Sequence, residues 1–269
     1  KRGKPYVQED PRTGNSDWPL DGVPKGQPEG SKLVATVQGK RARWARAVAD
    51  EDAGLDSVRA RWGVRATFPD PCLKAAKAAA KPKLGKRRDL RKIPTLTIDA
   101  PSSRDLDDAL AVLPPQADGA VRVLVSIADV GSVVTPGSVL DVEARERGTS
   151  VYLPDRVTPM LPRELSENAL SLLEGQDRAA LTVELRIDPQ GRVTATDLCE
   201  SLIRSHARLS YADVSRFLDE GDRKAVPESV QPTLRWLRTA AARLAAVRSS
   251  RGGVRTFSRT EVKLQLDKE

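Results

Sequence analysis

Apolar and polar positions alternate in short runs through the middle of the chain and then take up a helical period near its end. Residues 33–37 (LVATV) and 43–48 (RWARAV) are β-prone runs around Gln38-Gly39-Lys40, which predicts a hairpin. Residues 56–61 predict a helix, and Phe68-Pro69-Asp70-Pro71 a break that starts a second one, stopped by Pro82. Thr95-Leu96-Thr97-Ile98 predicts a strand ending at Asp99. Residues 108–113 and 121–127 flank Pro114-Pro115 and Asp118-Gly119, and residues 180–187 and 192–204 flank Asp188-Pro189-Gln190-Gly191; both pairs predict hairpins. Residues 138–147 predict a helix stopped by Gly148, and Ser210 the N-cap of a helix running to Leu218. Between residues 228 and 249, Val230, Leu234, Leu237, Ala241, Leu244 and Val247 recur at three- and four-residue steps, the core stripe of an amphipathic helix. Residues 261–266 predict a last strand. Residues 1–30 hold ten Gly and Pro and show no period, so they read as an arm or linker. Hairpins followed by helices predict an α+β fold, not a doubly wound sheet.

Composition narrows the chemistry. At 269 residues and 29.3 kDa the chain is one large domain or two ordinary ones. No run approaches the ~20 apolar residues that span a bilayer, so no membrane partner is expected. No basic stretch followed by an apolar one opens the chain, so secretion is not signalled. Two cysteines, Cys72 and Cys199, exclude a disulfide scaffold and a four-cysteine zinc site. The lone His206 excludes multi-histidine metal sites, so a metal here is held by oxygen. The net charge of +8 is unevenly placed: residues 1–98 hold 22 Lys and Arg against 11 Asp and Glu, residues 99–269 hold 23 against 26. Residues 74–92 alone carry nine basic side chains against Asp89. Such a run is either a solvated face or a contact for the phosphate backbone of nucleic acid, with Lys86, Arg87 and Arg88 its densest part.

The chemically informative stretch is Asp99-Ala-Pro-Ser-Ser-Arg104-Asp105-Leu106-Asp107-Asp108. Four carboxylates fall within ten residues, starting where one strand ends and finishing where the next begins. In extended backbone Asp105 and Asp107 share a side, Asp108 faces across, and the Pro/Ser loop folds Asp99 back beside them. Anions so placed repel, and Mg²⁺, a hard ion that takes oxygen ligands, relieves the repulsion. Two such ions are suited to the in-line displacement of a phosphoryl group. The plain alternative is a polar loop with Asp as turn former. A calcium EF-hand does not fit, because Arg104 and Leu110 stand where its Gly and Glu would be.

Four segments, TIDAPSSRDLDDAL (97–110), VSIADVGSVVTPGSVLDVEARERGTSVYLPDRVTPMLPRELSENALSL (125–172), LIRSHARLSYADV (202–214) and RGGVRTFSRTEVKLQLDKE (251–269), resemble the ribonuclease II, or RNB, family of exoribonucleases. The resemblance runs from about Lys92 to the end. It implies an RNB-type catalytic domain of mixed and antiparallel sheet with packed helices over 93–269, incomplete at its C-terminus. A small β-containing leading region over 31–92 and the arm over 1–30 would precede it. It further implies a cytoplasmic, Mg²⁺-dependent, processive 3′→5′ hydrolysis of single-stranded RNA to nucleoside 5′-monophosphates. By the same resemblance Asp99, Asp105, Asp107 and Asp108 are magnesium ligands, with Asp107 the one most tied to chemistry. Tyr152 resembles the aromatic stacked near the RNA 3′ end that sets product length, Tyr211 a residue that tells ribose from deoxyribose, and Phe257 a base-clamping aromatic. The family pattern continues into a helical segment carrying an active-site arginine and an S1-like RNA-binding domain, which makes the remainder of the RNB domain and that S1-like domain the expected partners. Leu106 stands where the family as often has an aromatic or methionine.

Read from the residues alone, the two tyrosines suit either base stacking or half-buried packing, and Phe257 suits the core. His206, between Arg204 and Arg208, suits a structural or phosphate-side place. Two rivals to the exoribonuclease remain: an RNA-binding module without catalysis, and another Mg²⁺ phosphohydrolase.

Overall fold

The computed structural model describes residues 6–8, 17–27, 31, 33–47, 55, 58–59, 62–81, 85–154 and 156–252. The helix expected over 56–61 lies largely, and the strand over 261–266 wholly, outside them. The chain divides into two units, one of the described residues up to 67 with 150–158, the other of 68–149 with 159–252.

In the first unit, strands β1 (Tyr6–Gln8), β2 (Asp17–Asp21), β3 (Leu33–Gln38) and β4 (Arg41–Ala47) form a sheet in the order β1-β2-β4-β3. The predicted hairpin is β3–β4, its tip turning at Gly39 with φ +60°. Strands β1 and β2 correct the reading of residues 1–30 as an arm without regular elements. Their structure comes from pairing: β2 lies parallel to β4, Leu20 is buried and Arg41 grips the Asp21 carboxylate. None of this leaves a periodic trace in so short a run.

The second unit opens with helix α1 (Asp70–Ala79), which starts after Pro69 as the Pro-rich break predicts. Strands β5 (Arg88–Asp89), β6 (Thr95–Asp99), β7 (Asp108–Leu113) and β8 (Val121–Ala128) follow. Helix α2 (Val139–Arg147) is N-capped by Ser138 and stopped at Gly148, where φ is +73°. The two-residue strands β9 (Val151–Tyr152) and β10 (Val157–Thr158) form a hairpin of the first unit. A π-helical turn (Leu165–Ala169) then leads to the long strands β11 (Asp177–Ile187) and β12 (Val193–Ser210), helix α3 (Tyr211–Asp219) and helix α4 (Gln231–Ser250). The strand order is β11-β8-β7-β6-β12-β5, and β11 also pairs with β12, so the first five strands close on themselves.

Strand β12 makes that closure possible. Residues 193–204 run antiparallel to β11, and residues 205–210 run parallel to β6. Over its second half Ser201, Ile203, Ser205, Ala207 and Leu209 are buried at alternate positions, the period of a strand with one face in the core. One apolar cluster gathers Leu106, Leu124, Leu165, Leu172 and Ile203; a second gathers Leu96, Leu209, Phe217, Val230 and Leu234 beneath α3 and α4. The stripe on α4 departs from expectation at one position, where Ala240 is buried and Ala241 exposed. Val230 sits in a 3₁₀ turn before the helix, and Gln231 and Thr233 are buried too, which turns the packed face toward Ala240. The tip of the β11–β12 hairpin presses on the same helix. A Cβ at Gly191 would fall 2.2 Å from the Arg243 carbonyl oxygen, and its φ of +80° already asks for glycine. No helix among the described residues is long and apolar enough to cross a membrane.

The basic run divides by residue type. The Arg87 side chain is only 7% exposed, and its guanidinium donates to the Asp129 carboxylate (2.6 Å) and the Ala180 carbonyl (3.4 Å). That corrects its assignment as an RNA contact: it is the buried partner of a buried acid. Arg88 lies near Glu184 and Asp197, and Arg91 binds Asp89 and Asp177. Lys74, Lys77, Lys81, Lys86 and Lys92 are exposed. Removing one member of a buried pair strands the other's charge, at a cost of about 3–5 kcal/mol. Arg87→Ala should therefore lower the unfolding free energy by about that much in urea titration, while Lys86→Ala changes it by less than ~0.5 kcal/mol. Equal small effects would return Arg87 to the solvated face.

Candidate active site

Strands β6 and β7 are antiparallel, with Thr95 opposite Ala111 and Leu96 opposite Leu110. The last residue of β6, Asp99, and the first of β7, Asp108, therefore lie at one end of the sheet. Residues 100–107 bridge them, and their backbone is fixed from three directions. Arg208 on β12 donates to the carbonyls of Pro101 (3.1 Å) and Ser103 (2.5 Å). The Ser171 hydroxyl accepts from the Leu106 N–H (3.1 Å) and donates to the Arg104 carbonyl (2.7 Å). The Leu172 N–H donates to the Leu106 carbonyl and the Ala128 N–H to the Asp107 carbonyl, both at 2.9 Å. Leu106 itself is fully buried in the core beside Leu165, Leu170 and Leu172. An apolar plug between Asp105 and Asp107 thus anchors the loop on the core.

The sheet brings a second segment to the same place. Ser210, the last residue of β12, is the parallel register partner of Asp99. Ser210 N-caps α3 through a capping box with Asp213, so the helix begins beside Asp99. Its first residue is Tyr211, 64% exposed. The Ser210 hydroxyl and the Arg216 guanidinium hold the Asp213 carboxyl below the ordinary range, which keeps the cap charged.

The electrostatics of the loop run the other way. Burial is the largest cause pushing the Asp99 carboxyl up; Asp108, Asp107 and Asp105 add to it and Arg208 opposes it. The Asp107 carboxyl is also raised, by burial first and then by Asp105 and Asp108. All four predicted ligands are therefore close enough for their charges to act on one another. Their donor set is oxygen throughout, which fits a hard divalent ion such as Mg²⁺. Among the described residues no group of three or more acidic, Cys or His side chains is placed to hold a metal ion by itself.

Tyr152, 64% exposed, stands on the β9–β10 hairpin of the first unit. Phe257 lies outside the described residues. Lys86 and Arg88 are exposed, Arg88 beside acids, and the Arg87 side chain is enclosed with Asp129. His206 is structural: its Nδ1 accepts from the Thr95 N–H (3.3 Å) where the β6–β12 register shifts. Ser171 and Arg208, which hold the loop, carry no sequence signal, because both act on backbone atoms some 65 and 105 positions away.

Residues 87–269 match the RNB domain family. The chain is 39% identical over 206 residues to ribonuclease R of Thermotoga maritima, covering 74% of this chain and 29% of that protein. It spans less than a third of the curated relatives it matches. Among solved structures it is similar to Mycoplasma genitalium RNase R in complex with double-stranded RNA, at 25% identity and a TM-score of 0.82, over 93% of this chain and 47% of that one. A likeness of fold alone, at 21% identity and a TM-score of 0.64, over 80% of this chain and 28% of that one, links it to yeast Ssd1, a pseudonuclease.

The raised carboxyls set a pH dependence of stability. The folded protein holds its proton at Asp107 more tightly than the unfolded chain does, so this group's effect on stability becomes unfavourable as pH rises from the ordinary aspartate value through the raised one. Asp107→Asn, measured without divalent ions, should melt higher than the parent at about pH 7 and lose that advantage near about pH 4. A lower melting temperature at neutral pH would mean that Asp107 is not under this strain.

Proposed function

The chain belongs to the RNB-domain family, and from that premise we propose that it is part of an exoribonuclease whose carboxylate site lies at residues 99–108. The observation that supports the reading is the loop, held through its backbone by Ser171 and Arg208, that runs Asp99, Asp105, Asp107 and Asp108 along one sheet end, two of them with raised carboxyls, beside exposed Tyr211. A module that only binds RNA gains nothing from four acids placed where phosphates must pass, because they repel the backbone. That argues against the non-catalytic rival, although a pseudonuclease shares the fold. It also favours Mg²⁺ as the cofactor, with the four aspartates as its ligands. Bound there, the metal would neutralise the scissile phosphate and supply an activated water for in-line attack.

The chain's own residues then divide the work. Leu106, Ser171 and Arg208 hold the loop so that the carboxylates keep their places as charge changes around them. Tyr211 presents a ring and a phenolic hydroxyl next to Asp99, suited to stacking on a base and to a hydrogen bond with a ribose 2′-hydroxyl. Lys86 remains a candidate phosphate contact. Tyr152 suits stacking near the 3′ end, and the family resemblance extends the proposal to processive 3′→5′ cleavage of single-stranded RNA into nucleoside 5′-monophosphates in the cytoplasm. The remainder of the RNB domain and an S1-like domain are the proposed partners in that work.

Two measurements test the reading. A 5′-labelled single-stranded RNA incubated with Mg²⁺ should give a ladder shortening from its 3′ end. Asp107→Asn should abolish the ladder while RNA affinity changes by no more than a few fold, since the lost interaction belongs to the transition state. Wild-type turnover in this variant would remove the cluster from the active site, and binding without any ladder in the parent would favour the non-catalytic module. Tyr211→Ala should narrow the ratio of RNA to DNA cleavage, because the 2′-hydroxyl is the group that differs. An unchanged ratio would make Tyr211 a surface residue only.

A further inference from the structure

Ser171 lies 65 positions beyond Leu106 and is fully buried. Its hydroxyl does two things at once: it donates to the carbonyl of Arg104 and accepts the N–H of Leu106. Those groups belong to the two peptide planes on either side of the Asp105 Cα. A single oxygen bonded to both closes a ring around that Cα and so fixes φ and ψ of Asp105 together. The next residue extends the clamp, because the Leu172 N–H donates to the Leu106 carbonyl. Asp105 and Asp107 flank Leu106, so the clamp sets the direction in which both leave the loop.

Ser171 is itself held. Its N–H donates to the Asn168 carbonyl, and its carbonyl accepts from the Arg178 guanidinium (2.8 Å). It comes two residues after the π-helical turn of residues 165–169, an irregularity that recurs at functional sites.

We infer that Ser171 is a positioning residue for the carboxylate site, fixing the Asp105 backbone so that the aspartates offer their oxygens to a divalent ion in one arrangement. The inference rests on the reading of residues 99–108 as a metal site. It predicts that losing the hydroxyl weakens metal binding and turnover while leaving RNA binding alone. Outer partners of metal ligands cost about 10–100-fold in metal affinity or activity when removed.

The test uses Mn²⁺ as the probe, followed by its electron paramagnetic resonance signal, together with kcat and KM on single-stranded RNA with Mg²⁺. Ser171→Ala should bind Mn²⁺ about 10–100-fold more weakly and lose kcat on the same scale, with KM for RNA unchanged. Ser171→Cys fills the same space with a poor hydrogen-bonding group, so it should show the same direction of loss, and it carries the test if the alanine variant does not fold. Parental Mn²⁺ affinity in either folded variant overturns the inference, as does a loss confined to KM. If the parent binds Mn²⁺ and cleaves no RNA, the functional reading fails while the metal titration still judges Ser171. If the parent binds no Mn²⁺, both fall.

Discussion

The parallel pairing of β12 with β6 over residues 205–210 is the contact on which the site depends. An 18-residue strand is about three times the usual length, and β12 uses that length to leave one neighbour and join another. Its first part completes the hairpin with β11; its last part closes the sheet against β6 and stops where Asp99 does. The register partner of Asp99 is thereby the cap of α3, and the helix delivers Tyr211 to the carboxylate loop. From the same stretch Arg208 reaches the loop's carbonyls and His206 accepts a backbone N–H of β6. Slip that strand by one residue and every one of these side chains would change face.

The loop between β6 and β7 shows how a protein keeps like charges together. Four carboxylates raise the energy of the folded state, and two of them are pushed up by burial and by their neighbours. What keeps the backbone from spreading is a set of neutral and cationic contacts aimed at peptide groups, with Leu106 buried as an anchor between two acids. Stability is given up locally and recovered from the core beneath, the usual division between a site and its scaffold.

The basic run of residues 74–92 teaches the opposite lesson about charge. Its arginines are drawn into ion pairs with acids of the sheet, and Arg87 with Asp129 is almost wholly enclosed. The planar guanidinium meets a carboxylate and a carbonyl at once, whereas a lysine ammonium keeps its water and stays outside. A linear count of positive charge therefore overstates what this surface offers to a phosphate backbone.

Helices α1 to α4, strand β6, the hairpins β3–β4, β7–β8 and β11–β12, the capping residues Ser138 and Ser210, and the carboxylate cluster with its bounding strands were legible in the chain. They rest on periods of two and 3.6 residues, on turn chemistry and on neighbours within about ten positions. The α+β class followed from the same local patterns, and the RNB family from the resemblance of four segments to its known members. The strands β1 and β2, the burial of Ala240 in place of Ala241, the withdrawal of Arg87 into a pair with Asp129, and the roles of Ser171 and Arg208 were not. Each of these depends on a partner brought from far along the chain, or on the exact rotation of a helix over its core. A residue's own neighbours in sequence hold no record of which distant backbone atom its side chain will meet, and only the closed sheet decides that.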